Sequence, residues 1–156
     1  MKKNKNKKVP LVSIILNCYN SGKFLKKSIN SVISQNYRNW ELIIFDNCST
    51  DNTKLEISKF SKNTKIKYFK SKKFCSLYNA RNLAIKKSKG SLITFLDADD
   101  WWLKNKLTKQ VQFIQKNKDL NVIYSNIFLF DETKNKTSLF SKEKLYNGNI
   151  TQSLLN

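Results

Sequence analysis

What most constrains this chain is the regular alternation of short apolar runs with segments of helical periodicity. "LVSIILN" (11–17) is β-rich and continuously apolar. It leads through "CYNSG" into a stretch with Phe24, Leu25, Ser28, Ile29, Val32 and Ile33 on one face, the spacing of an amphipathic helix. "WELIIFD" (40–46) reads as a second strand, with Ser49 or Thr50 placed to cap a helix carrying Leu55, Ile57 and Phe60. "KIKYF" (65–69) is a third, and Leu77, Ala80, Leu83 and Ala84 mark a helix closed by Gly90 as its C-terminal cap. "LITFL" (92–96) is the fourth, a stripe of Leu103, Leu107, Val111 and Ile114 the next helix, and "NVIYSNIFLF" (121–130) the fifth strand. Strands alternating with helices predict a doubly wound, mostly parallel α/β sheet. In such sheets ligands bind outside the carboxyl ends of the strands, where strand order reverses. With a 3-2-1-4 order, the ends "LNCYN", "FDNCSTD" and "LDADD" share one crevice, flanked by Asp46 on one side and by Asp97 and Asp99 on the other.

The fourth strand ends in three carboxylates within four positions, Asp97, Asp99 and Asp100, in a chain with 11 acidic residues against 30 basic ones. Two readings stand for this cluster. A D-x-D pair at a strand end can hold a hard divalent cation that takes phosphate oxygens as its remaining ligands. Alternatively, Asp99 or Asp100 caps the helix beginning near Leu103. Phosphate has no glycine loop to bind it here, because Gly22, Gly90 and Gly148 are the only glycines.

Composition removes other chemistries. Without a single histidine, neither a Ser-His-Asp nor a Cys-His arrangement can be built. Three cysteines, Cys18, Cys48 and Cys75, have no CxxC spacing, which argues for buried thiols in a reducing compartment and against zinc. The formal charge of +19 invites a nucleic-acid partner, but all except Arg38 and Arg81 of the basic residues are lysine, spread along the chain. The expectation is no nucleic acid. "MKKNKNKKVP" reads as a solvated basic tail able to lean on an anionic membrane. No signal peptide follows it, and no apolar run approaches a membrane span, so a cytoplasmic, at most peripheral, location is expected.

Taken in order, "VSIILNCYN", "ELIIFDNCSTDNT", "ARNLAIKKSKG" and "LITFLDADDWW" resemble the nucleotide-binding portion of the inverting family 2 glycosyltransferases of GT-A (Rossmann-like) fold, over roughly residues 11–130. The resemblance implies a hexosyltransferase of cell-surface polysaccharide biosynthesis. It would use a nucleotide-diphosphate sugar of UDP type and transfer to a saccharide or lipid-linked hydroxyl with inversion. It implies that Asn17, Tyr19 and Asn20, with Asp46 and Asn47, hold the nucleobase and ribose. Asp97 would sit near ribose and metal, Asp99 would ligate Mg²⁺ or Mn²⁺ directly, and Arg81 would support the pocket. Family members usually read aspartate, aspartate, glycine, serine where this chain has Asp46, Asn47, Cys48 and Ser49; Asn47 can still accept a base N–H through its amide oxygen.

The expected organisation is a basic tail over 1–9, a GT-A domain over 10–131, and the start of an incomplete acceptor-side region over 132–156. The general base is expected beyond the C-terminus, which leaves open a truncated binding remnant or subunit without catalysis of its own.

Overall fold

The computed structural model describes residues 9–143. Most of the basic tail, and everything after Glu143, including Gly148, therefore lie outside the described residues. Contacts divide the chain into two units, Met1–Gln115 and Lys116–Asn156.

In the first unit, β1 (Val12–Cys18), β2 (Trp40–Asp46), β3 (Ile66–Lys70) and β4 (Leu92–Phe95) form one parallel sheet in the order β3-β2-β1-β4. This is the order that sets the carboxyl ends of β2, β1 and β4 side by side, the condition for a single shared crevice. Register runs from Val12 opposite Trp40 to Cys18 opposite Asp46, and β4 joins the other side of β1 with Ile15 opposite Phe95. β1 and β2 are covered on both faces, which is why they read as continuous apolar runs rather than as alternating ones.

The two faces are covered unequally. Val12, Ile14 and Leu16 pack with Leu42 and Ile44 against α1 (Gly22–Ile33), α2 (Thr53–Ser58) and α4 (Lys106–Lys116), through Leu25, Ile29, Ile57, Leu107 and Val111. On the other face Ile15, Ile43 and Phe45 meet α3 (Leu77–Ile85) at Ala80 and Ala84, whose small side chains let the helix lie close to the sheet.

Three local expectations change. α2 begins at Thr53 with Asn52 before it, so neither Ser49 nor Thr50 is its cap. α3 ends at Ile85 with Lys86 as cap, and Gly90 serves elsewhere: a Cβ there would lie 2.6 Å from the Leu11 carbonyl and from the Ser13 amide. Gly90 is the residue that lets the chain lie close against the start of β1 as it enters β4. The fifth strand of the main sheet does not form. Within 121–130 only Phe128–Asp131 (β5) is strand, paired antiparallel with β6 (Lys136–Leu139) in a separate hairpin of the second unit. Periodicity alone cannot separate a buried parallel strand from one arm of a hairpin.

At the amino end of the sheet, buried Glu41 accepts hydrogen bonds from Ser13 Oγ at 2.7 Å, the Lys89 amide at 2.6 Å and Lys67 Nζ at 2.5 Å. It ties β1, β2 and β3 to the turn entering β4.

Candidate functional site

The carboxyl ends of β1, β2 and β4 come together, and two clefts open there. One, of about 310 Å³, is lined by Asn17, Tyr19, Asn20 and Phe24 on one side and by Asp97 and Asp99 on the other. The second, of about 220 Å³ and largely apolar, lies among Tyr19, Asn47, Phe74, Cys75, Leu77 and Ala80. Asn17 and Tyr19 border both.

The turn after β1 is held rigidly. Asn20 takes a left-handed conformation at φ 49°, its Oδ1 accepting from the amides of Thr50 at 2.9 Å and Asp51 at 3.3 Å, while its own amide donates to Ser49 Oγ at 2.9 Å. Asn20 thus joins the turns that follow β1 and β2. Tyr19, between them, stays half in solvent, with its ring edge-on to Phe74 at 4.9 Å. Asn17 has both amide atoms buried with no hydrogen-bond partner among the described residues.

Asp46 lies inside the fold. It is fully buried, and its carboxylate accepts from the Ser49 amide and from the Tyr68 hydroxyl, both at 2.7 Å. Burial, and then Asp46 itself, pushes the Tyr68 phenol up. Cys18 beneath it is likewise pushed up to about 12, by burial and then by the charges of Asp46 and Asp51, and so is no nucleophile. Asn47 turns its amide onto Cys75.

The acidic turn is open by contrast. Asp97 is exposed and pairs with Arg81 at 2.8 Å, and that guanidinium lies 5.6 Å from the centre of the Phe95 ring. Asp99 is exposed, with no ion pair or hydrogen bond among the described residues. Asp100 has its carboxyl held above the usual range, by burial first and by Asp99 and Asp97 next. Helix capping does not account for the cluster. α4 starts at Lys106, and the amide of Leu107 is capped by Gln35 Oε1 at 3.1 Å, from a fully buried glutamine that also donates to the Leu103 carbonyl at 2.8 Å.

Among the described residues no three His, Cys, Asp or Glu side chains are grouped to hold a metal. Asp97 and Asp99 nevertheless offer hard oxygen donors on the cleft wall, the donor type Mg²⁺ and Mn²⁺ prefer. Sequence reasoning gave Phe74, Cys75 and Leu77 no place in the site: Phe74 and Cys75 lie just before α3 and Leu77 is its first residue, where the pattern marked only a helix position and a thiol.

The glycosyl transferase family 2 profile matches residues 13–155. The chain belongs to that family. It is 40% identical over 116 residues to UDP-Glc:alpha-D-GlcNAc-diphosphoundecaprenol beta-1,3-glucosyltransferase WfgD of Escherichia coli, covering 74% of this chain and 45% of WfgD. Among solved structures it resembles S. aureus TarS 1–349 in complex with UDP, with a TM-score of 0.66 and 26% identity over 78% of this chain and 39% of that one. The mannosyltransferase PcManGT of Pyrobaculum calidifontis, in complex with GDP-Man and Mn²⁺, shares the fold at a TM-score of 0.64 and 21% identity, covering 67% of this chain and 32% of its own. The fold is therefore GT-A, and the chain spans about half the length of the curated relatives it matches.

Proposed function

We propose that this chain forms the nucleotide-sugar-binding part of a glycosyltransferase that moves a hexosyl group from a UDP-type donor to an acceptor hydroxyl with inversion. The observation that carries the reading is the adjacency of two unlike clefts at one end of the sheet. One is apolar and walled by aromatics, suited to a planar base; the other is rimmed by carboxylates, suited to a diphosphate bridged by a cation. The UDP bound to TarS supports the donor type, and the name of WfgD supports a lipid-linked saccharide acceptor. The lysine-rich composition supports peripheral contact with the inner face of an anionic membrane. Among the described residues no helix is long and apolar enough to cross one.

In this reading Tyr19 stacks on the base, and Asn17 and Asn20 line the route from base to ribose. Asp46 shapes the turn from within, with Asn47 beside it. Asp97 and Arg81 flank the ribose and diphosphate. Asp99 and Asp97 would hold Mg²⁺ or Mn²⁺, which when bound neutralises charge on the leaving diphosphate. The acceptor hydroxyl attacks in line, and its proton goes to a base outside the residues named here. Asp131 does not suit that role. Its carboxylate closes the hairpin turn, accepting from Thr133 Oγ1 at 2.6 Å and the Lys134 amide at 3.1 Å, and these bonds hold it below the usual carboxylate range.

Calorimetric titration with UDP, in Mn²⁺ and then in chelator, tests the reading. Binding is expected in Mn²⁺ and is expected to weaken about tenfold or more in chelator, the worth of one good charge-assisted contact. Asp99→Asn is expected to abolish that difference without moving the melting temperature, because the side chain is exposed. Equal affinity in both buffers would remove the metal from the scheme.

A further inference from the structure

Asn47, at the end of β2, is 7% exposed, and its amide is engaged by a single residue 28 positions away. Nδ2 donates to the Cys75 carbonyl at 2.7 Å, and Oδ1 accepts from the Cys75 amide at 3.1 Å and from its Sγ at 3.3 Å. An amide oxygen has two lone pairs, and both are taken. A base N–H could reach Oδ1 only by displacing Cys75.

Neighbouring bonds pin the other end of the same segment. The Ser71 amide donates to the Asp46 carbonyl at 2.8 Å, and Cys48 Sγ donates to the Ser71 carbonyl at 3.3 Å. The stretch between β3 and α3 is thus fastened to the β2 turn at both ends. Between the two fastenings Phe74, 63% exposed, meets Tyr19 across the mouth of the apolar cleft.

We propose that Asn47 is a positioning residue: by clamping Cys75 it sets Phe74 against Tyr19 as the wall on which the nucleobase stacks, and it does not itself read the base. This rests on the nucleotide-sugar reading above. Where a carboxylate at this position could only accept, the amide both donates and accepts, as the paired Cys75 carbonyl and amide require. Asn47→Asp places a negative oxygen against the Cys75 carbonyl and opens the clamp.

The test uses the full chain, with UDP titrated in Mn²⁺. Asn47→Asp, Asn47→Ala and Phe74→Ala are each expected to weaken UDP about tenfold, the scale of one base-stacking contact. Asn47→Ala/Phe74→Ala is expected to bind no more weakly than Phe74→Ala alone, because Asn47 acts through Phe74. A merely structural role would lower affinity through the melting temperature and would not be silenced by Phe74→Ala. Wild-type or tighter affinity in Asn47→Asp, or additive losses in the double variant, would overturn the proposal. Site-resolved thiol labelling supplies a readout that needs no nucleotide: Cys75 is expected to label faster in Asn47→Ala, and an unchanged rate would overturn the clamp. Absence of UDP binding by the wild type would overturn the nucleotide reading and the stacking wall with it, while faster Cys75 labelling would still show the fastening.

Discussion

Cys48 shows how one residue can carry the shape of a site. It holds φ 69°, a left-handed conformation that costs a residue with a Cβ about 1–2 kcal/mol. Glycine is the usual occupant of such a conformation, and it is the residue that the resemblance to family 2 glycosyltransferases led us to expect here. The thiol recovers part of that cost by donating to the Ser71 carbonyl at 3.3 Å. Cys48→Gly is expected to hold or raise the urea midpoint, and Cys48→Val to lower it, the two differing by about 1–2 kcal/mol. A valine variant as stable as the glycine one would show that the turn is not strained. The departure is therefore legible in the sequence as a missing glycine, whereas its compensation is not, because Ser71 lies 23 positions away. The same distance problem hid the role of Asn47. Its amide is plain in "FDNCS", but its partner in "KKFCS" is brought near only by the β2–β3 pairing.

Elements place these residues, and their joints are more often polar than the apolar patterns suggest. Continuous burial made β1 and β2 readable, and the crowding of acidic and amide residues at strand ends marked the end of the sheet where the site lies, though not the strand order itself. Joints between elements left weaker traces, since a cap or a staple is one residue acting across the fold. Gln35 is such a joint: from the end of α1 it caps α4 and holds the Leu103 carbonyl, so the acidic turn between β4 and α4 is fixed at its far side. Gln35→Ala leaves the Leu107 amide and the Leu103 carbonyl without this partner and is expected to cost about 2–3 kcal/mol in chemical denaturation. A loss below the scatter of surface substitutions would mean that the helix caps itself. Glu41 is the corresponding joint at the sheet's amino end. Burial raises its carboxyl, but hydrogen bonds from Lys67, Ser13 and the Lys89 amide, with the Lys67 charge, outweigh this and hold it below its ordinary value of 4.5. A carboxyl depressed by folding contributes stability that is present above its unfolded value and lost as pH falls through the folded one. Stability should therefore decline as pH drops below about 4.5, and Glu41→Gln should cost about 2 kcal/mol at pH 7 while flattening that decline. An unchanged acid limb in the glutamine variant would place the pH dependence on other carboxylates.

At the scale of the whole molecule the dominant fact is a formal charge of +19 in a chain whose cleft carries Asp97 and Asp99. The lysines set a long-range field that favours approach of any polyanion, and they are distributed rather than gathered into a reading surface. Held by field alone, a nucleic acid would lose affinity steeply with salt, because the logarithm of its binding constant falls by about 0.9 per phosphate contact for each tenfold rise in salt. A nucleotide diphosphate in the paired clefts would be held instead by stacking on Tyr19 and Phe74 and by short-range contacts at the acidic turn. Such contacts act well inside the Debye length of about 8 Å at physiological ionic strength and are screened little. Raising salt from about 0.05 to 0.3 M is therefore expected to lower duplex DNA affinity by a hundredfold or more, on the order expected for three or more phosphate contacts, and UDP affinity in Mn²⁺ by less than about fivefold. Fluorescence anisotropy with a labelled random duplex, alongside calorimetry with UDP, measures both slopes on one preparation. DNA binding that survives the higher salt while UDP binding collapses would reverse the assignment, making the basic surface the functional one and the clefts incidental.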